Sequence, residues 1–256
     1  MEQGTDEKLI IARAEDTARQ CERHYSVKFM GFLTPAEAAI IQKNMPSADA
    51  RLVFWGGYPD AERKLFAALP EYADDSELDE IISALEISGR ELGGLTHRDY
   101  LGSLLGLGIK REKIGDILVT EKGAVAFVLE DIAEYIVLNL DKVGRRGVKV
   151  KKCESREVAV PERKTEKINA VIAALRLDCV VAAALKTSRA KACAVIASGR
   201  VSLNWLENTS VSAAVKAGDT ISVKGFGRFI LSDGDGGDGF RTTKKGRTAV
   251  CIEKLI

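Results

Sequence analysis

The segment 176–204 permits few backbones. Leu177, Val180, Val181, Ala184 and Leu185 recur at i, i+3, i+4, i+7 and i+8, which places them on one face of a short helix. Ser188 is a good N-cap, and Ala192, Val195 and Ile196 supply the inward positions of a second short helix behind it. Gly199 stops that helix, since glycine takes a positive φ without steric cost. Arg200 then leads into the strand-like Val201-Ser202-Leu203. Such a two-helix corner leaves backbone N–H donors at the start of the second helix, beside Lys186 and Arg189. Helix dipole and cations together favour a phosphate there.

The arrangement suits a grip on a phosphate backbone, with Arg176, Lys186, Ser188, Arg189, Lys191, Arg200 and Asn204 as the candidate contacts. A guanidinium binds phosphate through two parallel N–H bonds, so Arg189 and Arg200 should contribute more than the lysines. Lys191 lies two residues from Arg189 and so points to another side of the helix. Asp178 is expected in a structural ion pair with a nearby arginine, or as a cap.

The charge distribution agrees with this. Net charge is +1, yet residues 1–100 hold 11 Lys/Arg against 19 Asp/Glu, whereas the remainder holds 27 against 18. A polyanion is therefore drawn to the C-terminal part and repelled by the N-terminal part. Cys21, Cys153, Cys179, Cys193 and Cys251 form no C-x-x-C pair and are expected to be reduced thiols in a cytoplasmic protein. No apolar run approaches membrane-spanning length, so no membrane partner is expected.

Residues 1–75 read as a mixed α/β segment. It has a helix over 7–24, then a capping box at Thr34-Pro35-Ala36-Glu37 that opens a helix to about Asn44. A strand follows over 52–55. A further helix is expected behind Asp60, with Leu65, Phe66 and Leu69 inward, and the acidic stretch 71–80 reads as a connection. Residues 76–155 alternate more cleanly: strand 81–87, helix 96–107 capped by Thr96, strand 114–119, a turn at Glu121-Lys122-Gly123, strand 124–129, helix 130–143, strand 148–153. That order, βαββαβ, is the ferredoxin-like unit, whose sheet has helices on one face and leaves the other free. Only Phe127 is aromatic on these strands, and it is expected in the core, so contact with RNA would rest on cations. Lys110, Arg111 and Lys113 in one loop, and Arg145 and Arg146 near Gly144 and Gly147, are the candidates; a solvated loop and helix C-terminal cations are the equally weighted alternative. Residues 156–167 read as a linker with room for a helix at its end, and 168–256 as the last domain.

Arg176-Leu177-Asp178, Ser188-Arg189-x-Lys191-Ala192, Ile196-x-x-Gly199-Arg200-Val201-x-x-Asn204 and Val215-Lys216-Ala217-Gly218-Asp219-x-Ile221-x-Val223 stand in order over 175–224. This stretch resembles the RNA-binding domain first recognised in ribosomal small-subunit protein four, the S-four domain. One departure is Trp205, where such domains usually carry glycine after the asparagine; a changed turn is the expectation. Gly225-Phe226-Gly227-Arg228-Phe229, Thr243-Lys244-Lys245-Gly246-Arg247 and the middle-domain Gly108-Ile109-Lys110-Arg111-Glu112-Lys113-Ile114-Gly115-Asp116-Ile117 extend the likeness, and the chain resembles the YlmH-like family. The stretch 232–241 stands as an acidic, glycine-rich insertion in the tail.

The resemblance implies an α+β multidomain protein: an N-terminal α/β segment, a ferredoxin-like middle domain and a C-terminal S-four αL-type RNA-binding domain with a strand extension. It implies RNA as partner, ribosomal RNA or tRNA, and a place on the large ribosomal subunit in the handling of stalled translation. It carries RNA contact over to Arg176, Arg189 and Arg200, and the tail adds Lys244, Lys245 and Arg247.

The rival reading is an RNA-modifying or aminoacylating enzyme, such as a relative of the pseudouridine synthases or methyltransferases. No signature of a nucleotide or methyl-donor site follows a strand, and Gly225-x-Gly227 reads as a turn. His24 and His97 are the only histidines, and Asp99, Asp116 and Asp131 fit capping or solvated roles better than catalysis. Metal-ligand spacing is absent. A non-enzymatic protein with no cofactor, metal or small-molecule substrate is expected. A protein-interaction adaptor that uses RNA as a scaffold is compatible with the main reading.

Overall fold

The computed structural model describes residues 2–45, 48–155, 158, 160–161, 164–232, 240–243 and 246–255. The chain divides into two compact units, Met1–Pro161 and Glu162–Ile256. Both mix helix and sheet.

In the first unit, α1 (Glu2–His24) buries Ile10, Ala14, Ala18 and Cys21 along one face. A three-stranded antiparallel sheet has β3 (Lys64–Leu69) between β1 (Lys28–Leu33) and β2 (Arg51–Trp55). α2 (Pro35–Asn44) opens on the expected capping box: Glu37 N–H donates to Thr34 Oγ1 (3.3 Å), and Thr34 N–H donates to Glu37 Oε2 (2.6 Å). The expected helix behind Asp60 is instead the strand β3. Leu65 to Leu69 are all buried, because a central strand is covered on both faces. An apolar run of that length has no period that separates strand from helix. The presumed connection likewise contains a short helix, α3 (Ser76–Ile81).

The same unit continues with β4 (Ile82–Gly89), α4 (His97–Gly106), β5 (Ile114–Thr120), β6 (Gly123–Leu129), α5 (Glu130–Asn139), β7 (Lys142–Val143) and β8 (Arg146–Cys153). The sheet order is β5-β6-β4-β8-β7, and each pair is antiparallel. Asp99 holds the start of α4 by accepting from Thr96 N–H and Oγ1, each at 2.7 Å. α5 ends four residues early, because the chain turns at Leu140 into β7.

One face of this sheet, through Leu85, Ile87 and Val128, packs on Tyr100 and Leu104 of α4 and on Ala133 and Ile136 of α5. The opposite face was expected to be free, and half of it is not. Ile82, Ala84, Phe127 and Leu129 share a core with Tyr58, Ala61, Leu65 and Ala67 of the N-terminal segment. The rings of Tyr58 and Phe127 stack at 5.0 Å with 30° between planes. Gly57 (φ +92°) permits that approach, since a Cβ there would lie 2.5 Å from the Phe127 ring.

Polar groups complete the seam. Asp116 accepts from Tyr58 Oη (2.8 Å), Glu62 N–H (2.7 Å) and Arg63 N–H (3.1 Å). Arg63 donates onward to the Phe32 carbonyl at 2.7 Å and the Ile114 carbonyl at 3.1 Å. Burial, with Arg111 close by, brings its pKa down to about 10. The seam therefore joins residues more than fifty positions apart.

The second unit opens with β9 (Thr165–Ile172), a strand where room for a helix was read. All eight of its residues pair with β15 (Thr248–Leu255), which no local pattern could announce. Between them come α6 (Leu177–Ala184), α7 (Arg189–Ala197), β10 (Val201–Leu203), β11 (Leu206–Glu207), β12 (Thr220–Val223), β13 (Gly227–Ser232) and β14 (Arg241–Thr242). The strand path is β11-β10-β12-β13-β15-β14, with β9 on β15. Leu177, Val180, Val181 and Ala184 of α6 and Ala192 and Ile196 of α7 bury against Val201, Ile221, Phe229, Leu231 and Ile252. Among the described residues no helix is long and apolar enough to cross a membrane.

Candidate nucleic-acid interface

The helix corner is organised by a buried carboxylate. Asp178, in the first turn of α6, has only 1% of its side chain exposed. Arg176 donates to it from Nε (3.2 Å) and Nη2 (3.4 Å). Arg189, at the start of α7, donates from Nε (3.2 Å) and makes a short ion pair through Nη2. The Cys179 N–H supplies a fifth bond at 3.0 Å. Burial alone would push this carboxyl up, but the hydrogen bonds and charges of Arg189 and Arg176 outweigh it and hold the pKa below the ordinary carboxylate range. The expected structural ion pair is present, and it aligns two of the candidate cations. Arg189 keeps 57% of its side chain in solvent, so its outer face can still meet an anion.

Around this hub the remaining candidates divide by what holds them. Ser188 caps α7, its Oγ accepting from Lys191 N–H at 3.3 Å. Lys186 is exposed in the left-handed residue (φ +50°) after α6, and Lys191 is exposed on α7. Arg200 is exposed and donates from Nη2 to the Lys224 carbonyl at 2.8 Å. Arg247 is exposed in the turn between β14 and β15, where its carbonyl accepts from Thr243 N–H at 2.7 Å. Lys244 and Lys245 lie outside the described residues, as does the stretch 233–239.

Asn204 has a structural task. Its Nδ2 donates to Asp219 Oδ1 and its Oδ1 accepts from Thr220 N–H, both at 2.9 Å. At the position where Trp205 replaces the usual glycine, β10 and β11 meet at Leu203↔Leu206 across a two-residue turn, with Asn204 at φ +49° and Trp205 at φ +66°. That is the paired positive φ of a type I′ hairpin, imposed on a tryptophan by the strands on either side.

In the first unit, Lys110 and Arg145 are exposed. Arg111 is half-buried and donates to the carbonyls of Ile114 and Gly115, and its own carbonyl accepts from Arg63 Nη2. Lys113 pairs with Asp131 at 2.5 Å, and Arg146 donates to the Gly93 carbonyl at 2.7 Å. Of these five candidates, Lys110 and Arg145 present their charge outward, while Arg111 belongs to the seam.

Two family descriptions match the chain. "YlmH, N-terminal" matches residues 6–72, and "Putative RNA-binding domain in YlmH" matches residues 80–157. A curated relative from Bacillus subtilis (strain 168), "Ribosome-associated protein quality control protein P2", is 32% identical over 250 residues, covering 97% of this chain and 95% of the relative. The chain belongs to the YlmH family. A solved structure, "Cell division protein ylmH from Streptococcus pneumoniae", shares its fold with a TM-score of 0.50 at 21% identity, over 60% of this chain and 95% of that one.

The two matched YlmH segments, 6–72 and 80–157, are the ones that meet across the Tyr58–Phe127 seam. Among the described residues no group of three His, Cys, Asp or Glu side chains converges on a metal position. His97 is exposed at the start of α4, and partial desolvation with Arg111 nearby pushes its imidazole pKa down. Asp99 caps α4, Asp116 fastens the seam and Asp131 pairs with Lys113. Sequence reasoning missed the polar roles of Arg63 and Asp116. Arg63 stands between Glu62 and Lys64, and Asp116 within a mixed loop-to-strand run, so no local pattern set either apart.

Proposed function

We propose that this YlmH-family protein is a non-catalytic RNA binder that works on the ribosome. Its second unit would act as an S-four module, and the βαββαβ part of its first unit as a ferredoxin-like second contact. The observation that carries the reading is the buried Asp178 carboxylate, which fixes Arg176 and Arg189 beside the N-terminus of α7. A fork held by a buried partner loses little side-chain freedom when a phosphate arrives, so more of its interaction appears as affinity. Lys186, Lys191 and Arg200 extend the positive surface around it.

The family description of residues 80–157 and the name of the Bacillus relative point the same way. We infer ribosomal RNA or tRNA as the RNA and stalled translation as the setting. Lys110 and Arg145 are the first-unit groups proposed to reach phosphate. A soluble, cytoplasmic protein follows from that partner.

The test is a salt titration of affinity for ribosomal RNA and tRNA. Arg189→Ala and Arg200→Ala should each weaken binding and make the dependence on salt shallower by about one unit of slope per lost phosphate contact. A double variant with wild-type affinity and slope would remove the site assignment. RNA from a deletion strain that lacks one modified nucleotide would favour the enzyme reading instead.

A further inference from the structure

One exposed aromatic in the second unit is built like a ligand surface. Phe226 sits in the turn Lys224-Gly225-Phe226-Gly227 that joins β12 to β13, with 47% of its surface in solvent. It takes no part in the core of its unit. The turn is tightly made: Phe226 N–H donates to the Val223 carbonyl (2.9 Å), and Gly225 (φ +88°) and Gly227 (φ +114°) flank the ring. An exposed phenylalanine in a fixed turn leaves apolar surface in water, which a partner would cover.

Arg200 supplies the other half. Its guanidinium carbon lies 5.9 Å from the Phe226 ring centroid. It is held there by a reciprocal pair of bonds, Arg200 Nη2 to the Lys224 carbonyl (2.8 Å) and Lys224 N–H to the Arg200 carbonyl (2.9 Å). Gly225 serves the turn through its positive φ (+88°) and lies beside Arg200 Nη2. A ring with a cation against it, and nearly half its surface in solvent, offers a π surface beside positive charge. Lys224, exposed in the same turn, adds to that charge.

We propose that Phe226 and Arg200 form a stacking platform for one unpaired nucleobase of the bound RNA. The base lies on the ring, and its phosphate is drawn to Arg200 and Lys224. A nucleotide carries both the flat face and the anion that this pair presents, and every base has a face to stack, so the contact selects unpaired strand rather than sequence. The inference rests on the RNA-binding reading above and adds that this part of the site takes single-stranded or looped RNA.

The test uses the full chain and two RNA hairpins on one stem. One carries a fluorescent purine analogue at an unpaired loop position, and the other is the same stem without unpaired bases beyond its closing turn. Phe226→Leu should leave the melting temperature unchanged and weaken binding of the looped probe by roughly fivefold to a hundredfold, the usual range for loss of one base stack. Its salt dependence should keep the wild-type slope, since no cation is lost. Phe226→Trp should retain affinity and the fluorescence change of the analogue, which Phe226→Leu should abolish.

Wild-type affinity in Phe226→Leu, or equal losses on both probes, would overturn the platform. Arg189→Ala separates this from failure of the broader reading: if it weakens binding and Phe226→Leu does not, only the platform falls. If the wild type binds neither probe in a salt-dependent way, both readings fall.

Discussion

Arg189 donates from two of its nitrogens to Asp178, a carboxylate eleven residues earlier and almost wholly buried between α6 and α7. The pair joins the starts of two helices and sets where a guanidinium stands at the surface. Fold and proposed binding meet in this one contact.

Asp178→Asn should therefore weaken RNA binding while Arg176 and Arg189 are both intact. It should also lower stability at neutral pH by about 1–3 kcal/mol, through lost charge-assisted bonds at a buried site. The folded-state pKa of Asp178 lies below its unfolded value, so its stabilisation is fully present above about pH 4 and fades as pH falls through the folded value. Melting curves of wild type and variant should converge on acidification below about pH 4. A constant gap would show that the charge is not what holds the corner.

The seam in the first unit should be expensive to break. Phe127→Ala removes a fully buried ring that stacks on Tyr58 and should cost about 3–5 kcal/mol in denaturant unfolding. Proteolysis should then cut between the two matched segments, because they lose their shared core.

Gly57→Ala tests the same contact from the other side. The positive φ and the 2.5 Å approach to the Phe127 ring should destabilise by more than about 1 kcal/mol. In a Phe127→Ala background the steric part disappears, so the double variant should lose less than the sum of the two single losses.

Arg111 and Lys110 are neighbours with opposite expected behaviour. Arg111→Met strips donors from half-buried carbonyls and should lower stability by about 1–3 kcal/mol, with the salt dependence of RNA binding unchanged. Lys110→Ala should leave the melting temperature unchanged and make the salt slope shallower by about one unit. The reverse pattern would move the phosphate contact from Lys110 to Arg111.

Much of the candidate site was legible because its signals are local. The Ser188 cap, the stop at Gly199 and the apolar face of α6 each concern residues within one or two turns of chain. The partners of the cations were less legible. Arg111, Lys113 and Arg146 look alike in sequence to Lys110 and Arg145, yet their charges go to carbonyls or to Asp131. Phe226 was visible only as part of a glycine-flanked run, because exposure depends on what packs nearby.

Sequence determined the caps at Thr34, Thr96 and Ser188, the βαββαβ order of 82–153 and the helix corner ahead of β10. Those features arise from hydrogen bonds and burial periods among close neighbours in the chain. Only the tertiary structure decided that 64–69 and 165–172 are strands, that the sheet face bearing Phe127 is half covered, and that Asp178 takes two arginines. Each outcome depends on residues brought from elsewhere in the chain: β3 is covered on both faces, β9 borrows its partner from 248–255, and Phe127 meets Tyr58 from 69 positions earlier. A backbone or a charge takes the partner that folding brings to it, and local pattern does not record which partner that is.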